Sequence, residues 1–277
     1  MLNRPLSIFI SFLLFLFVFI NYYPVSAKNE NKPELSYIPP EVEGTYDVPG
    51  RPNMKVRVFI HKAKDNNNGK PVRAGKPTPT PTSVPSPVCE LDDPESSVVD
   101  GLTGWHLPVS WEYNLNIGSV PGSIGSEDFP VIVDNSVSAW TEAINNNVSV
   151  NRGTDTSKSR AQFDGINIVT WGRTSGSALG VAYTWYYTDT GQVAEVDTIL
   201  NKSYPWSWTG NPVCAYPDSY DAQNILTHEV GHWFGTDDMY SPEFQHNTMF
   251  GYGSPQEAKK DTLTQGDKNS VNSIYPN

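Results

Sequence analysis

Residues 228 to 238 read HEVGHWFGTDD, a stretch that holds two imidazoles, a carboxylate beside the first of them and a carboxylate pair a few residues on. Four residues of α-helix turn the chain by about 400° and raise it by roughly 6 Å, so His228 and His232 project from one face and can reach a single ion. Imidazole nitrogens are ordinary zinc ligands, and a catalytic zinc keeps three protein ligands and leaves a fourth position for water. Something after His232 must therefore complete the set. Asp238 is the candidate, with the neighbouring Asp237 as the alternative. Glu229 need not bind the ion and can instead act as general base, accepting a proton from a metal-activated water. Two histidines at helical spacing also occur on plain polar helix faces. The continuation sets this pair apart, because Gly235 permits an abrupt turn and Asp238 arrives three residues later.

The helix that must carry these residues can be capped by Asp218 or Ser219 and run through Asp221, Ile225, Leu226 and Val230 to Phe234, with Gly235 ending it in a left-handed conformation. Leu226, Val230 and Trp233 occupy its other side and hold it in the core. Ahead of it, residues 107 to 117 read as a strand, and 128 to 145 carry Val133, Val137, Trp140 and Ile144 at helical spacing, a first helix to pack on a sheet. Residues 165 to 171 form a short apolar strand, and 178 to 187 with 193 to 200 flank the turn-rich loop Thr188–Gln192 as a hairpin. After the histidine helix, Thr264 and Asp267 make a capping pair for a last helix over 264 to 275. The fold class that follows is α+β.

HEVGHWFGTDD, together with His246-Asn247-Thr248-Met249-Phe250, resembles the extended zinc motif and methionine turn of the metzincin metalloendopeptidases. The order of elements over about 105 to 276 is similar to the matrixin branch of that clan. The resemblance implies a zincin-like mixed twisted sheet, an active-site helix, a first helix packed on the sheet and a C-terminal helix after the Met-turn. It implies one catalytic zinc held by His228, His232 and Asp238, Glu229 as the catalytic base, and Met249 as a packing floor beneath the ligands. The register of the metzincin motif puts the third ligand at Asp238, where most of the clan has histidine and the snapalysin family has aspartate. A carboxylate there lowers the net charge of the site from plus two to plus one and makes a milder Lewis acid.

Other departures bear on cofactors. The chain has five histidines, too few for the histidine-rich structural zinc site of animal matrixins, while calcium stays open through oxygens such as those of Asp189 and Asp197. Tyr252 is expected to line the cleft, and His246 to be a turn histidine. In such enzymes the polypeptide substrate lies extended and antiparallel to an edge strand. Residues 178 to 182 are the expected edge, with Gly180 letting another backbone approach and an ordinary interior strand as the alternative. A thermolysin-like peptidase using Glu243 or Glu257 as third ligand is one competing reading. A non-catalytic secreted binding module, suggested by the 12% aromatic content, is the other.

The 277 residues suffice for one sizeable domain or two small ones. Residues 1 to 27 have the make-up of a secretory signal peptide: a basic start at Arg4, the apolar run LSIFISFLLFLFVFI and the small-residue site Val25-Ser26-Ala27. Its removal takes only Arg4 among the charged residues and leaves 18 basic against 30 acidic side chains, a formal charge of −12. That balance argues against nucleic acid and anionic membrane as partners and suits a soluble, secreted, extracellular monomer. Residues 28 to 88 are expected to be a propeptide or spacer that contains one alternating strand at 54 to 61 and ends in the Pro/Thr-rich linker 75 to 88. Residues 89 to 277 hold all eight tryptophans and make up the expected catalytic domain. In an oxidising compartment the two cysteines, Cys89 and Cys214, are expected to pair.

Overall fold

The computed structural model describes residues 37–64, 86–174 and 176–276. The expected signal peptide and the linker over 75 to 85 lie outside them. The described strands are β1 (Gly44–Val48), β2 (Arg51–Ala63), β3 (Ser110–Leu115), β4 (Ser149–Arg152), β5 (Ile168–Gly172), β6 (Ala178–Tyr187), β7 (Val193–Asn201), β8 (Trp206–Ser207), β9 (Tyr220–Asp221) and β10 (Tyr252–Gly253). The helices are α1 (Asp128–Ala143), α2 (Ala222–Trp233) and α3 (Gln265–Ile274). A mixed sheet runs in the order β1-β2-β6-β7-β5-β3-β4, with β10 paired to the far end of β2. The β1, β2, β6 and β7 side is antiparallel, whereas β7, β5, β3 and β4 run parallel. The coarse α+β class with helices against a mixed sheet is therefore the observed architecture.

Alternation along β2 sorts its side chains onto two faces, as a period of two requires. Met54, Val56 and Val58 join Val181, Tyr183 and Trp185 in a smaller apolar cluster, while Phe59 and Ala63 enter the main core. His61, in the same phase as Phe59, is fully buried. The main core also receives Phe129, Ile132, Val133, Val137 and Trp140 from α1 and Ile225, Leu226, Val230 and Trp233 from α2. Every residue of α2 is buried, as expected of a helix enclosed by the sheet, α1 and the loops around it. Three indole N–H groups tie it down: Trp140 donates to Thr227 O, Trp105 to His232 O and Trp233 to Thr198 Oγ1.

Several expectations hold in position. The hairpin forms as β6 and β7, α1 carries the expected apolar face, and Thr264 and Asp267 make a reciprocal capping box on α3. Cys89 and Cys214 are joined in a disulfide.

Two expectations are corrected. The cap of the histidine helix is Asp221, whose Oδ1 accepts from Gln223 N and Asn224 N, because Tyr220 and Asp221 are extended and paired with β8. The segment 178 to 182 is not an edge, since β6 lies between β7 and β2. The strand expected at 54 to 61 runs from Arg51 to Ala63, forms a hairpin with β1 and is built into the sheet on the outer side of β6.

Candidate metal centre

Carbonyls of the bend after α2 and of the methionine turn fix the tautomers of both histidines. His228 Nδ1 lies 2.8 Å from Thr248 O, and His232 Nδ1 lies 3.0 Å from Thr236 O. A carbonyl only accepts, so each Nδ1 carries the proton and each Nε2 presents a lone pair. Neither Nε2 has a hydrogen-bond partner, although both rings are fully buried. Asp238 Oδ1 lies 3.0 Å from the first Nε2 and 3.7 Å from the second, and it too lacks a partner. Three buried lone-pair atoms facing one another without donors would be costly as they stand. The same three atoms suit one divalent ion bound by two nitrogens and an oxygen.

The bend that delivers Asp238 depends on Gly235, whose φ of +97° only glycine adopts without strain. An added Cβ would also sit 2.4 Å from Trp105 O. The returning chain is held by Thr103 N donating to Gly235 O and Asp237 N donating to Gly101 O. Gly235→Ala is expected to cost about 1–3 kcal/mol of stability and to displace the aspartate. A denaturant melt checks the first effect, and a metal titration the second.

Asp238 is oriented from behind. The Tyr240 hydroxyl lies 3.2 Å from Asp238 Oδ2 and 3.1 Å from Glu43 Oε1, and it donates to one of them at a time. Such supporting groups typically tune metal affinity by about 10- to 100-fold, so Tyr240→Phe is expected to weaken zinc binding within that range in a competition titration with a chromophoric chelator. Unchanged affinity would remove Tyr240 from the site. Tyr240 follows Asp238 by two residues, but no periodicity marks it in the sequence.

Burial governs the charge states. It holds His232 down to about 3, against the opposing pull of Asp238, and together with the Lys260 charge it puts His228 well below the ordinary imidazole value. Both rings are thus neutral and available as ligands. Burial raises Asp238, a shift that the His232 interaction opposes and that a bound cation would oppose further. Burial and then the Asp238 charge lift Glu229 well above the usual carboxylate range. Both Glu229 oxygens are buried without a partner.

Glu229 lies beneath β6, and here Gly180 has a different role from the one expected. A Cβ on Gly180 would stand 2.3 Å from Glu229 Oε1, so the glycine makes room for the carboxylate as well as carrying a strand partner. Met249 is fully buried, and a Cβ on Gly231 would meet its sulfur at 2.3 Å, which places the thioether against α2 between the two histidines. The turn that brings it there is closed by Phe250 N donating to Asn247 O.

The remaining candidates separate from this group. Asp237 is half exposed; its Oδ1 accepts from Asp238 N and stands 3.7 Å from Arg57 Nη2. Glu243 is exposed and Glu257 lies near Lys260 and Asn224, so neither joins the ligand set. His106 and His246 are likewise not among the gathered residues. Asp197 accepts from Gln162 N and Ile168 N, Asp189 is exposed in the hairpin turn, and neither belongs to the side-chain groups gathered among the described residues. Tyr252 sits in β10, packed edge-on against Tyr240 and Phe250.

One residue at the centre was not singled out from sequence. His61 of β2 packs its ring 3.9 Å from that of His228 and places Nδ1 3.8 Å from Glu229 Oε1. With His228 and Glu229 it forms a second gathered trio beside the first. Phe59 of the same strand stacks on His232 at 3.7 Å and 4°. The phase of the β2 alternation would have put both on one face, but nothing in the sequence says which helix that face meets.

No protein-family model matches the chain, and no curated protein is detectably similar to it.

Proposed function

We propose that the chain is a secreted zinc endopeptidase of metzincin type, with His228, His232 and Asp238 as the metal ligands and Glu229 as the general base. The observation that carries this reading is the convergence of three buried, unpartnered ligand atoms on one point, with Glu229 beside them. Bound there, zinc would polarise the scissile carbonyl and acidify a water. Glu229 would serve as the base that accepts a proton from the attacking water and passes it to the leaving amine, a role suited to a carboxylate whose proton affinity burial has raised. The two backbone carbonyls behind the histidines keep Nε2 directed at the ion, and Tyr240 keeps Asp238 in place. Gly235 and the buried Met249 support the metzincin reading over the thermolysin-like one, as do the positions of Glu243 and Glu257 away from the ligands. The signal-like residues 1 to 27 and the disulfide support secretion.

The secreted, processed chain is expected to cleave an internally quenched peptide library, to stop when phenanthroline is added and to recover with zinc. Cleavage that ignores the chelator would contradict the metal mechanism.

A further inference from the structure

β2 is gripped along both edges over the metal centre. It pairs antiparallel with β6, with His61 opposite Gly180, and parallel with β10, with Lys62 opposite Tyr252. Ala63 N donates to Ser177 O on one side, while Lys62 N donates to Gly251 O and Lys64 N to Gly253 O on the other. An extended peptide held by main-chain hydrogen bonds, with alternate side chains in pockets, is how β-augmentation binds a ligand. Here the ligand is a segment of the same chain. Phe59 and His61 cover the two metal-site imidazoles, and His228, Glu229 and His232 have no exposed surface. A peptide-hydrolysing centre so covered cannot receive substrate until β2 leaves. At the end of β2 lies a cavity of about 560 Å³ lined by Lys62, Lys64, Ser177, Phe250 and Tyr252 among others.

The pocket that His61 fills has a charged floor. The fully buried Lys260 ammonium donates to Phe250 O at 2.7 Å, to Tyr252 O at 2.8 Å and to His61 Nε2 at 3.0 Å. An ammonium has no lone pair, so the imidazole nitrogen accepts. Two of these three acceptors belong to the loop around β10 and the third to the occupant, while the Glu257 carboxylate stands farther off at 3.5 Å. Any strand in the same register would have to supply an acceptor there or leave the third N–H with only the longer Glu257 contact.

The covalent arrangement leaves β2 separable. The disulfide Cys89–Cys214 and the bridge between Val88 and Ala215 fasten the downstream chain where it begins. A break between residues 64 and 86 would leave the β1–β2 hairpin held by non-covalent contacts alone. Resting on the peptidase reading above, we propose that β2 lies in this protein's own peptide-binding groove as an occupant in cis, and that Lys260 selects a hydrogen-bond-accepting side chain in the pocket that His61 fills. The substrate class is an extended peptide with His, Asn, Gln, Asp or Glu at that position.

The test uses a full chain with a site-specific protease sequence in place of residues 70–76. It is cut, the upstream fragment is separated, and a fluorescent peptide of residues 51–63 is titrated back by anisotropy, beside quenched-peptide turnover. The intact chain is expected to show no turnover. The cut chain should keep its circular dichroism, turn over and lose turnover as the peptide rebinds. A peptide carrying His61→Gln should bind within about threefold of the parent, and one carrying His61→Leu about 10- to 100-fold more weakly, the loss expected when a charged donor keeps only that longer contact. On a Lys260→Met chain that difference should vanish; if that chain does not fold, the Gln and Leu peptides on the unsubstituted chain decide. Turnover by the intact chain, a cut chain that unfolds when the fragment is removed, or equal binding of the Leu peptide would each overturn the proposal. Rebinding in the expected order without turnover would uphold the groove and sink the peptidase reading instead.

Discussion

Glu229→Gln is expected to abolish peptidase turnover while leaving zinc in place. General-base catalysis contributes about 10²–10⁴-fold, so kcat/KM of the activated enzyme should fall by at least that range. The carboxylate is not in the trio of His228, His232 and Asp238, and zinc affinity in the same sample should stay unchanged. Burial already favours the neutral carboxyl in the metal-free chain, so an amide of the same shape should not lower Tm. Turnover retained in Glu229→Gln, or zinc lost from it, would remove the assignment.

Asp238→Ala should have the opposite signature, with the metal lost first and activity lost in consequence. Four-ligand zinc sites bind with about 10–16 kcal/mol in all, so one ligand is worth about 10²–10³-fold in affinity. A competition titration should show that drop for Asp238→Ala and none for Glu243→Ala or Glu257→Ala, because neither glutamate shares the trio. An unchanged zinc affinity in Asp238→Ala would move the third ligand elsewhere and reopen the thermolysin-like reading.

The parts of the site legible in the sequence are those within one helix or one bend. His228 and His232 are joined by helical geometry, and Gly235 with Asp238 by a local turn, so spacing alone brings them together. The capping box on α3 and the β6–β7 hairpin are local in the same sense. The Asp221 cap was missed because β9 is two residues long, too short for any alternation to mark it, while Asp218 and Ser219 offered equally good oxygens.

What the sequence hid is long-range. Alternation in 54 to 61 marks a strand, but period two says nothing of its partner, and the segment 178 to 182 reads equally well as an edge or as an interior strand. His61 and Lys260 are single residues from distant parts of the chain, and their 3.0 Å contact over α2 is a product of tertiary packing. Gly180 shows the same limit: its neighbour from the helix, Glu229, lies far away in sequence.

Diffraction at the zinc absorption edge from crystals grown with one equivalent of zinc tests the account most directly. A single anomalous peak within coordination distance of His228 Nε2, His232 Nε2 and a carboxylate oxygen of Asp238 is the expected result. An anomalous map without a peak there, or with zinc bound by other residues while Asp238 points away from the imidazoles, would contradict it.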